Sequence, residues 1–363
     1  MSEESSKAMS KPYVSVLIDT YNHERFIEQA ITSVLAQDMS MADVEIVVVD
    51  DGSTDRTPEI VRRFEPRVRL LRKPNGGQAS AFNAGIPECQ GEIIAFLDGD
   101  DWWAKGKLRR VVEAMERDRE IGIVGHGVTE AFPDGRQHTE VLREASRFRV
   151  DSVENARTFR LRKNFLGTSR MTIRASVIPR LLPVPERLRF EADEYLFTLA
   201  AASATTLILP EALTFYRIHD ANLFQTSGFQ EDAMRRKQGV LACLAQELGH
   251  RLRERGLPAP AIEIVTESVA AEANQLRLMV DGGSPWETVR TEFAMYRILH
   301  ERASWMQLFF KCATLLPGLV LPPRLFYRAR RCVATNKFYL RARKNLLPIP
   351  QPEHTVRQWK AGV

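Results

Sequence analysis

The first 125 residues alternate between short apolar runs rich in β-branched side chains and stretches whose apolar residues recur at helical spacing. The apolar runs are residues 14–18, 44–49, 68–71, 92–97 and 121–124, and the helical patterns cover 24–36, 57–64, 75–86 and 105–117. Parallel strands are joined by crossover connections that are usually helices, so this alternation predicts a mostly parallel sheet with helices on both faces. The predicted fold class is therefore α/β, with a Rossmann-like sheet.

After this region the pattern changes. The periodicity loosens over residues 132–189, and two strand-like runs follow at 205–210 and 212–216. Residues 229–302 are mainly helical by pattern, with breaks at the glycine- and proline-containing stretches 256–260 and 281–285. We therefore expect the sheet to be followed by a mainly helical carboxyl-terminal region.

Length and composition are those of a soluble globular protein. The chain has 363 residues, of which 44% are hydrophobic and 27% charged, enough for roughly two domains. The polar amino-terminal segment "MSEESSKAMSKP" argues against a secretory signal. The four cysteines (Cys89, Cys243, Cys312 and Cys332) form no CxxC pair, so we expect neither a zinc site nor a disulfide framework, which fits a reducing cytosol.

The positive charge is concentrated towards the carboxyl terminus. Residues 301–363 contain twelve Lys or Arg and two acidic residues, while the whole chain has a net charge of +5, so residues 1–300 are net negative. A basic tail on a mildly acidic body predicts a surface partner for the tail and no nucleic-acid binding by the whole protein.

The stretch "FLDGDDWW" (96–103) places Asp98, Asp100 and Asp101 directly after an apolar run, at the sheet edge where α/β proteins bind ligands. Carboxylates this close together repel one another unless a cation lies between them. Mg²⁺ or Mn²⁺ is the expected cofactor, because hard divalent ions prefer oxygen ligands, with water and diphosphate oxygens filling the remaining positions. A solvated Asp-rich turn is the alternative, and a DxD pattern alone does not exclude it.

The second apolar run ends on a further acidic pair in "VVVDDGSTD". An ionised Asp51 is a pure hydrogen-bond acceptor and is able to accept the N3–H of a uracil ring. Its alternative role is to cap the following helix, which Ser53 or Asp55 would do as well.

Four segments together resemble glycosyltransferase family 2. They are "VSVLIDTYNHERFIEQAITSVLAQ", "EIVVVDDGSTDRT", "NGGQASAFNAGI" and "GEIIAFLDGDDWW…KL", in this order and at these spacings. The resemblance is specific over residues 12–125 and thinner to about 225. It implies the GT-A fold, a nucleotide-sugar donor and inversion at the anomeric carbon. It further implies a catalytic domain at 12–228 with nucleotide-binding (12–125) and acceptor (126–228) halves. The resemblance does not cover the remaining residues, for which we expect a flexible stretch at 1–11 and a helical region at 229–363.

The resemblance also assigns roles at the donor side. It implies that Asp19 and Tyr21 line the nucleotide pocket, with Glu24 nearby and Asp51 on the base. Asp98 would approach the ribose or the metal, Asp100 would be the principal metal ligand, and Asp101 would support it. The remaining residues implied to face the donor are Gly76 and Gly77, through close backbone approach to the sugar-diphosphate, and Gln78 and Asn83. For the two glycines, simple helix initiation is an equally good explanation.

Inverting transfer needs a base for the acceptor hydroxyl. By resemblance, "RFEADEYLFTLAA" (189–201) gives this role to Asp193, with Glu194 as a substitute. The match is partial, because Ala192 stands where the family usually has Glu. The alternative is that these acids only favour a helix amino terminus.

Other segments resemble acceptor and phosphate contacts of the family. In "FLGTSRMTIR", Gly167, Thr168 and Ser169 would contact acceptor hydroxyls, and Trp102 is a further acceptor candidate. In "YRIHDANLF", Arg217 would pair with donor phosphate, and His219 would be an additional metal ligand or phosphate contact. The roles of Arg217 and His219 are implied by the resemblance alone.

Residues 304–331 are apolar and then basic, and the basic character continues to 344. The apolar stretch is interrupted by Lys311 and by prolines, and it is shorter than the roughly 20 residues of a membrane span. Two interpretations are equal: a core segment with a solvated basic face, or a segment that docks on an anionic membrane surface. The second would make the protein a cytoplasmic bacterial enzyme, peripheral on the inner face of the membrane.

The favoured function is metal-dependent, inverting transfer of a sugar, from a UDP-sugar by preference, to a glycan or lipid-linked acceptor in cell-surface polysaccharide biosynthesis. A sugar nucleotidyltransferase is less favoured, because the first loop reads "DTYNHE" where such enzymes carry a glycine-rich loop. A dinucleotide-dependent oxidoreductase is excluded by the lack of GxGxxG after the first strand. A decayed binding or scaffold protein is the remaining alternative, and the retained Asp100 and Asp193 argue against it.

Overall fold

The computed structural model describes residues 13–40, 43–219, 231–299, 305–334 and 355–360. The chain divides into two compact units, one formed by residues 1–225 and 354–363 and the other by residues 226–353. The expected domain boundaries at 11/12 and 228/229 lie outside the described residues.

The first unit is built on a mixed sheet of eleven described strands. The strands are β1 (Val14–Thr20), β2 (Val44–Asp50), β3 (Arg69–Arg72), β4 (Ile93–Asp98), β5 (Trp102–Trp103), β6 (Ile121–Ala131), β7 (Gln137–Leu142), β8 (Ser146–Phe148), β9 (Thr172–Arg174), β10 (Thr205–Arg217) and β11 (Thr355–Lys360). The main order is β11-β7-β6-β9-β4-β1-β2-β3, and β10 pairs with β5, β6 and β8. The pairs β4-β1, β1-β2, β2-β3 and β6-β10 are parallel, as the alternating pattern predicts.

The first unit has six described helices, of which the first two join consecutive parallel strands, β1 to β2 and β2 to β3. The six helices are α1 (Ile27–Leu35), α2 (Thr57–Arg62), α3 (Gln78–Gly85), α4 (Lys107–Arg117), α5 (Val153–Arg162) and α6 (Ala192–Ser203). Central strand β1 is buried along almost its whole length, which explains its continuous apolar run. Val16 and Ile18 of β1 share one core cluster with Ile27 and Ile31 of α1, so burial of this helix face holds α1 on the sheet.

The antiparallel strands β7, β8, β9 and β11 are short additions that the sequence analysis does not predict. Three of them lie in the region of loosened periodicity, and β11 lies in the region expected to be helical, where it pairs with β7. The two runs expected at 205–210 and 212–216 are one strand, β10. Its register with β6 shifts between Leu209 and Ala212, beside Pro210, which has no N–H to donate.

The register of the parallel strands positions the candidate site. Asp19 near the end of β1 is the partner of Asp98 at the end of β4, and Thr20 is the partner of Asp50 at the end of β2. The acidic segments found in the sequence therefore meet at one edge of the sheet.

The second unit is helical. Its described helices are α7 (Glu231–Glu254), α8 (Ala259–Val280), α9 (Pro285–Leu299), α10 (Trp305–Leu315) and α11 (Pro323–Ala334). The helices break where the sequence predicts, at Gly256, Gly282 and Gly283, which have positive φ angles. A small core joins Leu278, Leu315, Phe326 and Tyr327. Of the helices in the described ranges, none has the length and apolar content to cross a membrane.

Candidate active site

Asp19 lies in the middle of the acidic edge. One of its carboxylate oxygens, Oδ1, is buried and has no hydrogen-bond partner among the described residues. Burial raises the pKa of Asp19 well above its ordinary value, and the negative charges of Asp100, Asp193 and Asp51 raise it further. These four acids, which come from distant parts of the sequence, therefore lie close enough to repel one another.

The carboxyl group of Asp98 is affected by burial and by neighbouring negative charges in the same way as that of Asp19. Burial raises its pKa well above the ordinary value, and the charges of Asp19, Asp101 and Asp100 add to the effect. Its backbone N–H donates to the hydroxyl of Ser169 over 3.1 Å. In a dry, crowded site of this kind, ionised carboxylates need a compensating cation.

Asp100 differs from its neighbours because it has two histidines beside it. Its Oδ2 forms a 2.9 Å hydrogen bond with Nε2 of His219 and lies 3.8 Å from Nε2 of His23. Burial acts to raise the pKa of Asp100, but the hydrogen bond with His219 and the charges of His23 and His219 more than offset it and hold the pKa below its ordinary value. Asp100 is thus the acid of the cluster best stabilised in its ionised form.

The structure places His219 against Asp100, and its role as a metal ligand or phosphate contact stays a prediction. The structure also brings His23, which the sequence analysis does not single out, to Asp100. His23 follows β1 in the "DTYNHE" loop, and Nδ1 of its ring lies 3.2 Å from the hydroxyl of Thr20. The available signal was its place after a central strand, at the edge where ligands bind.

Asp101 is fully committed to contacts within the protein. Its Oδ2 accepts from the hydroxyl of Ser169 over 2.7 Å, and its Oδ1 accepts from the backbone N–H of Arg217 over 2.9 Å. Burial, followed by the charge of Asp100, raises the pKa of Asp101 to about 8. Asp101 therefore ties the aspartate turn to β10 and to the loop at 167–170. Its role in supporting a metal stays a prediction.

Ser169 and Thr168 are buried beside the acidic cluster, and the contact with acceptor hydroxyls expected of them and of Gly167 stays a prediction. The Ser169 hydroxyl lies between Asp98 and Asp101, and its carbonyl accepts from Nε1 of Trp103 and from the hydroxyl of Thr214. Gly167 has the Arg170 side chain packed over it, since a β-carbon there would lie 2.5 Å from Nη2 of Arg170.

The two candidate bases at the start of α6 have different surroundings. Asp193 accepts from the backbone N–H of Thr168 over 3.1 Å and from that of Glu194 over 2.8 Å. Its charge raises the pKa of both Asp19 and Asp98, so it lies beside the acidic cluster. The carboxylate of Glu194 instead pairs with Nζ of Lys163 at 2.5 Å, which makes Glu194 a poor substitute base.

Asp51 organises the loop that precedes α3. Its carboxylate accepts from Nζ of Lys73 over 2.6 Å and from the backbone N–H groups of Gly76 and Gly77. The capping alternative was expected at α2, but the loop that Asp51 holds is the one before α3. Contact with a base stays a prediction.

The glycine pair is explained by packing within the protein. Gly77 has φ of 84°, and a β-carbon there would lie 2.6 Å from Cα and from the carbonyl oxygen of Arg189. At Gly76 a β-carbon would lie 2.5 Å from the hydroxyl of Ser80. The first N–H of α3, on Gln78, donates to the carbonyl of Arg189. The close backbone approach predicted for the sugar-diphosphate is thus made by residue 189.

Gln78 and Asn83, which are expected to face the donor, have hydrogen-bond partners within the protein, and their contact with a donor stays a prediction. The amide of Gln78 donates to the hydroxyl of Thr168 and accepts from the backbone N–H of Ala192. The amide of Asn83 makes two hydrogen bonds to the backbone of Val184, of 2.8 and 2.9 Å. Both amides have donor and acceptor engaged, so they fix the 168, 184 and 192 segments against α3.

The loops that follow β1 and β2 are joined to each other. Asn22 N–H donates to the Ser53 hydroxyl, and the carboxylate of Glu24 accepts from the backbone N–H and from Nε of Arg56. Glu24 therefore lies near the predicted nucleotide pocket, and its carboxylate is hydrogen-bonded to the loop that follows β2. Tyr21 is 44% exposed at this edge, where its ring is open to a ligand.

Arg217 is packed tightly at the aspartate turn. Its Nε donates to the carbonyl of Asp100 over 2.8 Å, and its Nη2 donates to Gln29 over 2.6 Å. The guanidinium lies 4.7 Å from the ring centre of Phe26 and 4.4 Å from that of Trp102. Trp102 also stacks on Phe215 at 5.0 Å, so its ring packs against β10, and the acceptor contact expected of Trp102 stays a prediction.

The donor set of the acidic edge fits a hard divalent ion, because an orphaned buried oxygen on Asp19 and repelling carboxylates on Asp98 and Asp100 are all oxygen ligands. In the described part of the chain, no three His, Cys, Asp or Glu side chains form a complete metal cluster.

Comparison with known proteins identifies the fold and the first domain. The profile described as "Glycosyl transferase family 2" matches residues 15–178. An uncharacterized glycosyltransferase of Nostoc is 35% identical over 218 residues, which cover 58% of this chain and 66% of the relative, just under two thirds of its length.

Two solved structures have the same fold. S. aureus TarS (residues 1–349) in complex with UDP-GlcNAc superposes with a TM-score of 0.53 at 18% identity, over 88% of this chain and 92% of that one. The mannosyltransferase PcManGT of Pyrobaculum calidifontis, in complex with GDP-Man and Mn²⁺, gives 0.51 at 22% identity, over 93% and 88%. The expected GT-A fold with a helical carboxyl-terminal region is confirmed.

Proposed function

This chain belongs to glycosyltransferase family 2, and from that premise we propose that it is a metal-dependent, inverting glycosyltransferase. It would move a sugar from a nucleotide-sugar donor to a hydroxyl of a glycan or lipid-linked acceptor in cell-surface polysaccharide biosynthesis. The observation that carries the proposal is the convergence of Asp19, Asp98, Asp100 and Asp193 at one sheet edge. A structural role alone does not account for four partly buried acids whose charges act on Asp19 and Asp98.

Asp98 and Asp100 are the residues that would hold Mg²⁺ or Mn²⁺, with the His219 imidazole orienting Asp100 from behind. The bound ion would neutralise charge on the diphosphate leaving group. Support for a metal comes from the oxygen donor set and from the Mn²⁺ complex of PcManGT. His219 then acts through Asp100, which is a positioning role, and His23 supports the same carboxylate.

The donor would lie along the carboxyl ends of β1, β2 and β4. Tyr21 is open to a base, and Asp51 at the end of β2 is held rigidly by Lys73 and by two backbone amides. A UDP-sugar is favoured because TarS, which has the same fold, binds UDP-GlcNAc. Arg217, fixed between Phe26 and Trp102, presents a preorganised cation beside Asp100 for the donor phosphates.

Asp193 is the residue we assign as the base. Its two backbone hydrogen bonds, to Thr168 and Glu194, fix the carboxylate in place and leave further lone pairs to accept a proton. As the acceptor oxygen bonds to the anomeric carbon, its proton passes to Asp193 and the bond to the diphosphate oxygen breaks on the opposite face. This accounts for inversion of the anomeric centre with one carboxylate acting as the base.

A catalytically decayed scaffold is the second candidate. It would retain the fold but not the chemistry, whereas this chain keeps Asp100 in an ionised environment and Asp193 beside the cluster. A sugar nucleotidyltransferase has no comparable support, since the loop after β1 is tied to the loop after β2 and contains no glycine-rich turn.

A panel of UDP-, GDP- and dTDP-sugars tests the proposal. Thermal stabilisation of the full chain by one donor, greater with Mn²⁺ than with EDTA, and release of nucleoside diphosphate on addition of polysaccharide or lipid acceptors would support it. Metal-dependent binding with no release under any acceptor would favour the scaffold. Absence of binding by every donor would exclude both.

A further inference from the structure

One helix of the helical unit, α10, has a lysine turned inward and large apolar side chains turned outward. In α10, Lys311 is turned inward with its side chain only 12% exposed, while Trp305 is 78% and Phe309 66% exposed. Trp305, Phe309 and Cys312 are spaced by four and three residues, so they lie along one face of the helix, and Leu316 continues the same spacing. A helix in contact only with water normally has the opposite arrangement.

A network of ion pairs explains why α10 is held with Lys311 facing inward. Nζ of Lys311 lies 3.2 Å from a carboxylate oxygen of Glu292, whose side chain is 2% exposed. The same oxygen pairs with Arg330 of α11, and the other accepts from the amide of Gln275 over 2.6 Å. Removing Glu292 would leave the half-buried Lys311 without its carboxylate partner, so this pairing holds α10 with its aromatic face outward.

The outward apolar side chains are concentrated in one short stretch. Among the described residues, nine large hydrophobic side chains are exposed, and six of them lie between residues 305 and 325. We call these six the apolar face: Trp305, Phe309, Leu316, Leu319, Val320 and Leu325. Scattered exposed hydrophobic residues need no explanation, but a cluster of this kind marks a binding surface.

The charge around the apolar face identifies its partner. Residues 302–352 contain ten Lys or Arg and no Asp or Glu. Arg324 and Arg328 are exposed within the same stretch as the apolar face, on α11. Aromatic and aliphatic side chains flanked only by cations match a surface with an apolar interior and anionic headgroups.

We propose that the apolar face docks the protein on an anionic lipid surface, lying on the bilayer without crossing it. Trp305, Phe309, Leu316 and Val320 enter the headgroup boundary, and Arg328 contacts lipid phosphates, while Arg324, whose guanidinium donates to the carbonyl of Val280, adds positive charge nearby. This goes beyond sugar transfer, because it concerns the helical unit alone and does not depend on the acidic site.

Co-sedimentation of the full chain with vesicles tests the docking. We expect binding to vesicles of phosphatidylcholine and phosphatidylglycerol in equal parts, little binding to phosphatidylcholine alone, and weakening by salt. Trp305→Ser and Phe309→Ser should each lower the affinity about tenfold, as expected for loss of a buried aromatic side chain. Arg328→Glu should lower it by about fivefold or more, since each cation near an anionic surface contributes about a fivefold factor.

Matched controls lie on the other unit. Leu161→Ser removes an exposed leucine from α5, and Arg63→Glu reverses an exposed charge after α2. Both should bind vesicles as the wild type does. Tryptophan emission gives a direct readout, because it should shift to the blue on vesicle addition in the wild type and much less in Trp305→Phe.

Three outcomes would overturn the proposal: no binding to either vesicle, binding that Trp305→Ser and Arg328→Glu leave unchanged, or self-association of the free chain that Trp305→Ser abolishes. The last would assign the apolar face to a second copy of the chain. Because all variants should retain metal-dependent UDP binding, failure of docking is distinguishable from failure of the proposed transferase activity.

Discussion

Asp19 and Asp98 are register partners on the neighbouring parallel strands β1 and β4, and the charge of Asp19 is the largest electrostatic contribution that raises the pKa of Asp98. The sheet itself thus forces the two acids together. Solvation of the strand ends alone would not require two carboxylates to lie side by side. We interpret it as a site whose carboxylates are completed by a cation and a substrate diphosphate.

Replacing Asp193 tests the base. Asp193→Asn keeps one oxygen to accept from one of the two backbone N–H groups, of Thr168 or Glu194, but removes the proton acceptor, so turnover should fall by about 10²- to 10⁴-fold, the usual contribution of a general base. Donor affinity, measured by calorimetry, should not change. Glu194→Gln is the matched control and should retain most of the turnover, because Glu194 is paired with Lys163. Normal turnover in Asp193→Asn would move the base elsewhere.

Ser169→Ala removes the hydroxyl that lies between Asp98 and Asp101. Asp101 would lose a buried donor, and we expect a loss of about 1–3 kcal/mol in unfolding free energy. Chemical denaturation of the full chain measures it. Thr32→Ala, on the exposed side of α1, is the control and should change stability by less than about 0.5 kcal/mol. A Ser169→Ala protein as stable as the wild type would show that the hydroxyl does not hold the turn.

Alanine substitutions at two glycines should change the stability of the protein in opposite directions. Gly77→Ala places a β-carbon 2.6 Å from the backbone of Arg189 at φ of 84°, which should destabilise the protein by at least about 1–3 kcal/mol. Gly249→Ala, within α7 and with nothing within 4 Å, should stabilise it by up to about 1 kcal/mol. Thermal unfolding compares them. Equal midpoints would contradict the packing explanation for the glycine pair.

The parts of the site that the sequence predicts are those governed by strand order. Asp19, Asp98 and Asp100 follow apolar runs, and the carboxyl ends of parallel strands necessarily share an edge. The family resemblance supplied Asp193 and His219, which local pattern alone does not connect to that edge. Both lie in contact or electrostatic range of the cluster.

What the sequence does not predict depends on contacts between distant segments. Ser169 reaches Asp98 across 71 positions, and the backbone of Arg189 packs on Gly77. Asn83 looks like a donor contact in a family motif, yet its amide is used by Val184. Similarly, the orientation of α10 depends on Glu292, a residue on another helix. Periodicity reports which side chains are apolar, but it does not report which partner each polar group has.

The most direct test of the central claim is a calorimetric titration of UDP into the wild type and into Asp100→Ala, each with Mn²⁺ and with EDTA. Asp134→Ala, at an exposed turn between β6 and β7, serves as the charge-matched control. We predict that Mn²⁺ strengthens UDP binding in the wild type and in Asp134→Ala, and that Asp100→Ala loses this metal-dependent gain. The same UDP affinity in wild type and Asp100→Ala with Mn²⁺ present would contradict the assignment of the acidic edge as a metal–diphosphate site.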